Sequence, residues 1–558
     1  MTGYDVAVIG AGPAGLSAAA GAADAGERVV LLDAAVLPGG QYWRHRQHFP
    51  PESTRYRKLA GALSRVDHRP GTAVWFAEPG FTLHTTTGEI TAARLILATG
   101  AHDRVVPFPG WDLPGVTTAG GAQALLKGHG VLVGRRIVVA GTGPFLLPVA
   151  ATLARAGARV VGVFEANHPL RMARHFTLPP AKLAEAARYA ATFARHRIPY
   201  HTGKIVVAAH GKGEVEGVTV APAHSGKIVA AHGDGEADGA GKAPGSGRRI
   251  EGAAHGEVEG ASGAAAHHDD KRDRGWGAAA HGGKIAAAHG DRAGDGGHRA
   301  AGQGRRIEGA AHGEVERASG AAAHHDDKRD GGRGAAAHGD DWAGGRGRKG
   351  SAGVRRVACD ALAVGYGFVP AIELATLLGC ATRMDGDGNL VVAVDEAQRT
   401  SVPGVWAAGE ITGVGGADLA MVEGAIAGLG RVPPGLARRR ARLRRFAAAL
   451  HAEYPVPGGW AEHLREDTTV CRCEEVPFRT VREAVAELGA VDARTVKLLS
   501  RTGMGWCQGR MCGFAVACLT ARLRDRPVTE ADLAAFAHRP FAAPITLGEL
   551  AAGADLIE

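Results

Sequence analysis

The stretch that most limits what this chain can fold into lies at its start. Tyr4-Asp5-Val6-Ala7-Val8-Ile9 is a short apolar run, followed at once by Gly10-Ala11-Gly12-Pro13-Ala14-Gly15 and an alanine-rich segment. A run this short and this apolar suits a strand buried on both faces of a parallel sheet. A second such run, Arg28-Val29-Val30-Leu31-Leu32, ends on Asp33, 23 residues after Gly10. Strand, glycine turn, helix and acidic strand end together make a dinucleotide-binding fingerprint. Its glycines allow the tight turn, the approach of a pyrophosphate and close helix–strand packing, while Asp33 accepts hydrogen bonds from the adenosine ribose. Gly10, Gly12, Pro13, Ala14, Gly15 and Asp33 are therefore expected at a nucleotide site.

The pattern recurs at Arg136-Ile137-Val138-Val139-Ala140-Gly141-Thr142-Gly143-Pro144-Phe145-Leu146, whose partner strand Arg159-Val160-Val161-Gly162-Val163-Phe164 ends on Glu165. Here the third glycine is replaced by Leu146, with Pro148 just beyond. A leucine where helix and strand should nearly touch is expected to push the helix outward or change its tilt. If a nucleotide binds at Gly141, Gly143 and Glu165, the glutamate favours an unphosphorylated ribose. A degenerate domain, or one holding a nucleotide without turnover, is expected ahead of NAD(P)H oxidation.

Four of the seven cysteines form two tight pairs near the C-terminus, Cys471-Arg472-Cys473 and Cys507-Gln508-Gly509-Arg510-Met511-Cys512, separated by 33 residues. Soft, anionic thiolate quartets are what an Fe–S cluster or a structural zinc requires. The C-x-C pair is too short for common zinc-knuckle spacing, which favours a [2Fe–2S] cluster; zinc and unconnected thiols remain the alternatives. Gly503, Gly505, Gly509 and Gly513 let the backbone bend close and aim N–H groups at sulfur. Cys359, Cys380 and Cys518 are read as buried small apolar residues. No C-x-x-C lies near the nucleotide segments, so a reducible dithiol of the thioredoxin-reductase kind is excluded.

Two further segments identify the first nucleotide. Leu95-Ile96-Leu97-Ala98-Thr99-Gly100 and Thr400-Ser401-Val402-Pro403-Gly404-Val405-Trp406-Ala407-Ala408-Gly409-Glu410 each read as a strand ending in a turn. In these the chain resembles the two-dinucleotide flavoprotein family, which includes thioredoxin and ferredoxin reductases. The resemblance implies FAD, with Thr99, Gly100, Gly409 and Glu410 as contacts, Glu410 standing where the family has aspartate. A closer resemblance rests on Pro38-Gly39-Gly40-Gln41-Tyr42-Trp43-Arg44, Gly141 to Pro148, Cys471-Arg472-Cys473-Glu474-Glu475 and Gly503 to Gly513. These are similar to the FAD-containing alpha-type subunit of opine oxidases, of hydroxyproline or proline dehydrogenases, and of cyanide-forming glycine dehydrogenase. The similarity spans roughly residues 1–220 and 353–558. It adds Gly40 and Gln41 to the expected cofactor contacts. The C-terminal module resembles bacterioferritin-associated ferredoxin, with Cys471, Cys473, Cys507 and Cys512 as ligands, although its last pair is C-x4-C rather than C-x2-C. The resemblance implies a separate flavoprotein beta subunit, D-amino-acid-oxidase-like, that oxidises the amino acid, and an electron acceptor downstream. The alternatives are a self-sufficient NAD(P)H-dependent reductase and, from another class, a redox or iron sensor. The residues name no substrate and no catalytic side chain.

The expected fold is α/β, with two Rossmann-like domains of the pyridine nucleotide-disulphide-reductase kind and a small helical [2Fe–2S] module. The FAD domain takes residues 1–120 and 366–430, and the second domain 121–365. An arginine-rich connector spans 431–465, the cluster module 466–525 and a C-terminal tail 526–558. Within the second domain, residues 221–352 carry a repeat offset by 57: Gly247 to Glu259 recurs at Gly304 to Glu316. Among these 132 residues are 32 glycines, only seven Ile, Leu, Val or Phe, and 19 basic residues against 19 acidic. Such a segment buries too little apolar surface to offset chain entropy, so a long disordered insert is expected. The formal charge of +8 is largely local, with seven arginines from Arg431 to Arg445. These read as the solvated face of a helix or a dock for an acidic partner. Without interleaved aromatics they exclude nucleic acid as the expected ligand. No apolar run reaches 18 residues and the first strand starts at residue 4, so neither membrane insertion nor a secretory signal is expected. Cysteines spaced as ligands suit a reducing cytoplasm.

Overall fold

The computed structural model describes residues 3–168, 180–223 and 353–552. β1 (Tyr4–Ile9) leads into α1 (Pro13–Asp24), which returns the chain to β2 (Val29–Asp33). The two strands run parallel, Val6 opposite Val29 and Ile9 opposite Leu32. Val6, Val8, Leu31 and Leu32 are fully buried, as strands covered on both faces require. Beyond α2 (Thr54–Gly61), β3 (Asp67–Pro70) extends the sheet beside β2. A hairpin of β4 (Val74–Ala77) and β5 (Thr82–Thr85) flanks the other side. β6 (Gly88–Leu97) joins the halves: its first residues pair antiparallel with β5, and Ala92 to Leu97 run parallel to β1.

After β7 (Ala101–Asp103) and β8 (Val116–Thr118), α3 (Ala119–His129) starts from the Thr118 hydroxyl, which accepts the Gly121 N–H. The second Rossmann unit follows: β9 (Arg136–Gly141), α4 (Leu146–Arg155), β10 (Arg159–Glu165), α5 (Pro180–Arg195) and β11 (Tyr200–Thr202). β12 (Lys204–His210) and β13 (Gly217–Pro222) form an antiparallel hairpin. β14 (Arg355–Ala358) pairs with β13, Val220 opposite Arg355, so the chain leaves and returns on neighbouring strands. Residues 224–352 between them, which carry the repeat, lie outside the described residues. β15 (Ala361–Gly365) completes a parallel sheet ordered β11-β10-β9-β15-β8.

β16 (Phe368–Pro370) then pairs with β7, followed by α6 (Glu373–Leu377) and the hairpin of β17 (Thr382–Met384) and β18 (Leu390–Val392). β19 (Val405–Ala407) returns beside β6 as the seventh strand of the first sheet. α7 (Ala417–Leu429) packs on α1 almost backbone to backbone: a Cβ at Gly424 would stand 2.0 Å from the Ala14 carbonyl oxygen. α8 (Pro434–Glu453) carries the arginine run. Arg438, Arg439, Arg442 and Arg445 are exposed as expected. Two others depart from that reading: Arg440 is buried, and Arg444 pairs at 2.9 Å with the buried carboxylate of Glu423. One face of the helix thus neutralises a carboxylate that α7 places in the interior.

The C-terminal part contains β20 (Thr469–Cys471), β21 (Val476–Pro477), α9 (Phe478–Ala486), α10 (Ala493–Ser500), α11 (Gly513–Leu523) and α12 (Glu530–Ala537). Its apolar core is continuous with that of the second sheet. Cys471, Val481, Cys512, Leu519 and Phe536 share one buried cluster with Val138 and Leu362 of the second sheet. Across the junction the Trp111 indole N–H donates to the Thr469 carbonyl, and the Thr469 hydroxyl donates to Asp112 Oδ2 at 2.6 Å. Among the described residues no helix is long and apolar enough to cross a membrane.

Candidate functional site

At the C-terminal end of β1 the chain turns through Gly10, whose φ is +102°. The turn is tight because side chains are absent: a Cβ on Gly15 would stand 1.7 Å from the Gly10 carbonyl oxygen. At Gly12 an added Cβ would meet nothing within 4 Å. The middle glycine therefore faces open space, as a cradle for a pyrophosphate must. Asp33 caps the turn, accepting the Ala11 N–H at 2.5 Å and the Ala35 N–H at 2.7 Å, while burial pushes its carboxyl up.

The other residues expected here do gather. Gly40 lies against Gly12, where a Cβ would come within 2.9 Å of the Gly12 Cα. Gln41 is exposed beside it and accepts from Arg44 Nε. The Thr99 hydroxyl donates to the Ala371 carbonyl at 2.6 Å, and the Ala371 N–H donates to Gly100 O at 3.0 Å. Gly409 abuts Ala14 on the first turn of α1. Glu410 accepts the Gly415 and Gly416 N–H groups, and burial pushes its carboxyl up to about 7. Beneath Gly409 sits Glu423, which accepts the Gly409 N–H at 3.1 Å and pairs with Arg444. Sequence reasoning missed this pair; the i, i+4 spacing of Arg440 and Arg444 was the only available signal. The donors, the open glycine and the acidic strand end fit a dinucleotide, with Pro13 and Ala14 opening the helix over it.

In the second fingerprint Leu146 is buried in the core and begins α4, five residues after Gly141; α1 begins three after Gly10. The turn before it is wound tighter: the Leu146 N–H donates to the Gly143 carbonyl and the Leu147 N–H to the Pro144 carbonyl, each at 3.2 Å. Glu165 is fully buried and accepts the Gly143 N–H and the Asn167 N–H, each at 2.9 Å. Burial pushes its carboxyl up to about 7, from an ordinary value of 4.5. The folded chain therefore keeps this proton to a higher pH than the unfolded chain, and stability falls as pH rises from about 4.5 to about 7. The loss is at most about 3 kcal/mol. We expect a lower urea midpoint at about pH 8 than at about pH 5, with this part of the slope absent in Glu165→Gln, whatever that variant's absolute stability. An identical slope in both proteins would refute this account.

The four clustered cysteines come together. Cys471 and Cys512 are buried, Cys507 is partly covered and Cys473 is exposed. The Cys471 thiol is held down to about 6, first by a hydrogen bond with Cys512 and further by the Gly503 N–H, 3.5 Å from its sulfur. Cys473 is hydrogen-bonded to Cys507, and Cys512 senses the charge of the other three. As the side chains stand, no group of three or more His, Cys, Asp or Glu is arranged to hold a metal ion among the described residues. The donor set nevertheless suits an Fe–S cluster: four soft thiols in two neighbouring pairs, with a backbone N–H already aimed at one sulfur. Gly505 makes way for Cys473, whose Cβ would lie 2.5 Å from an added Cβ. Gly503, Gly509 and Gly513 also receive the Phe536 ring, a packing role that the sequence did not disclose. The Cys507–Cys512 loop is braced against β7 and α6. His102 Nε2 sits 3.0 Å from the Arg510 carbonyl oxygen, and Arg510 and Arg539 both pair with Glu373, at 3.0 and 3.1 Å.

The sequence profile of the pyridine nucleotide-disulphide oxidoreductase family matches residues 4–234 and 339–427. Hydrogen cyanide synthase subunit HcnB of Pseudomonas aeruginosa is 28% identical over 542 residues, covering 90% of this chain and 90% of its own length. An opine oxidase subunit of Rhizobium meliloti strain 1021 is 28% identical over 592 residues, covering 100% of both chains. The crystal structure of L-proline dehydrogenase from P. horikoshii shares the fold, with a TM-score of 0.55 and 18% identity over 98% of this chain and 79% of that one.

Proposed function

This chain belongs to the pyridine nucleotide-disulphide oxidoreductase family and is a flavin-dependent oxidoreductase, and on that premise we propose that it is the electron-transferring alpha-type subunit of an amino-acid or opine dehydrogenase complex. The observation that carries the reading is the pairing, in one folded unit, of an open dinucleotide cradle with a cysteine quartet. FAD would lie along Gly10, Gly12, Gly15, Asp33 and Gly40, reaching toward Thr99, Gly100, Gly409 and Glu410. A [2Fe–2S] cluster would be held by Cys471, Cys473, Cys507 and Cys512. When bound, FAD takes electrons in pairs and a [2Fe–2S] cluster passes them on singly.

The chain's own residues position these two sites. Asp33 and the Gly12 turn bind and orient the nucleotide end, and the Glu423–Arg444 pair fixes the Gly409 turn from below. The links from Gly100 to Ala371 and from His102 to Arg510 tie the flavin-side strand end to the cysteine loop. A D-amino-acid-oxidase-like flavoprotein beta subunit is the partner that this reading requires, with an acceptor protein downstream. Co-expression with such a partner, followed by a screen of amino acids and opines for dye reduction, tests it. Activity that needs both chains is expected. Rapid NADH-driven dye reduction by this chain alone would overturn it in favour of a self-sufficient reductase.

A further inference from the structure

The second fingerprint is open at Gly143, where an added Cβ would meet nothing within 4 Å, but it is covered on either side of that glycine. The Thr142 hydroxyl, between its two glycines, donates to the carbonyl oxygens of Tyr454 at 3.2 Å and Pro455 at 3.5 Å. Asn167, two residues beyond the acidic strand end, donates its side-chain N–H to the same Pro455 oxygen at 3.1 Å. Thr142 and Asn167 flank the path that a dinucleotide takes from its pyrophosphate to its adenosine ribose. Into that path the chain has laid the segment just past α8, which begins at Tyr454.

The chemistry left there is wrong for a phosphate. Two carbonyl oxygens point at the turn, where an anion needs donors. The turn's own donors are already used: the Thr142 N–H bonds Gly365 O at 2.8 Å, and the Gly143 N–H bonds Glu165. At the ribose end, the Tyr454 and Tyr200 hydroxyls both lie in the field of the Glu165 carboxylate. Burial first, and that charge second, hold each hydroxyl above its ordinary range.

We infer that Tyr454 and Pro455 fill the second dinucleotide cleft and thereby set donor specificity: the cleft is closed to NAD(P)H and to other adenine nucleotides, and the flavin is reduced from elsewhere. The full chain, as purified, is titrated with NADH, NADPH and ATP by calorimetry while hydrogen exchange is followed in the peptides carrying Thr142 and Tyr454. Up to about 1 mM nucleotide, no saturable change in protection at Thr142 is expected. A Thr142→Val, Asn167→Leu double variant, which removes both donors to the Tyr454 and Pro455 carbonyls, is expected to retain its flavin and to exchange at least about tenfold faster in the peptide carrying Tyr454. Saturable nucleotide-induced protection at Thr142 in the unmodified chain would overturn the inference. So would a folded double variant whose exchange around Tyr454 is unchanged.

Discussion

Serine at Cys473 or Cys507 is expected to strip the chain of the proposed [2Fe–2S] cluster while leaving the flavin in place. Iron and acid-labile sulfide should fall from about two each per chain to a small fraction of that, and the S = 1/2 EPR signal of the reduced protein should vanish. Neither position lies in the deep core, so the protein itself should keep its melting temperature apart from the stabilisation that the cluster lends it. Serine at Cys471 or Cys512 should remove the cluster and add a second effect. Both side chains are only 1% exposed, and a hydroxyl left without a partner there costs about 1–3 kcal/mol. Cys518 lies on α11, fully buried, and offers no substitute ligand. One zinc and no sulfide in anaerobically purified protein would sink the cluster and much of the electron-transfer reading with it.

At Gly12 a large side chain should abolish flavin binding without unfolding the protein. Its φ of −73° and ψ of −175° are open to any residue, and an added Cβ meets nothing, so Gly12→Trp introduces no backbone strain. It fills the cradle only. Flavin per chain should drop at least about tenfold, with a melting temperature matching that of the flavin-stripped native protein. Gly15→Ala is the contrasting control. Its Cβ would collide with the Gly10 carbonyl at 1.7 Å, so here flavin and fold should fail together. A yellow, fully loaded Gly12→Trp protein would place the flavin elsewhere.

The elements most legible in the sequence were those set by local pattern. An apolar run, a glycine turn and an acidic strand end fix β1, α1 and β2 because strand burial and turn geometry are decided within a few residues. What stayed hidden depends on partners far along the chain. Arg444 reads as solvated until α7 presents Glu423 beside it, and Arg440 until the Glu396 carbonyl and the Gln398 side chain receive it. The glycines of the cysteine loop read as points where the backbone bends close and aims N–H groups at sulfur, as Gly503 does at Cys471; that three of them also clear the Phe536 ring was not legible. Nothing around Thr142 hints at Tyr454, because a side chain's distant neighbour leaves no local periodicity.

The shared core carries an evolutionary consequence. Cys471 and Cys512 are buried in an apolar mass continuous with Val138 and Leu362, so the C-terminal part covers the flank of the second sheet. A lineage that lost the module would expose the flank of its central sheet, and one that exchanged it would have to match that flank. Recombination should therefore carry the sheet and the cysteines together, and a reductase lacking the module should show polar replacements at Trp111 and at its neighbours on that face.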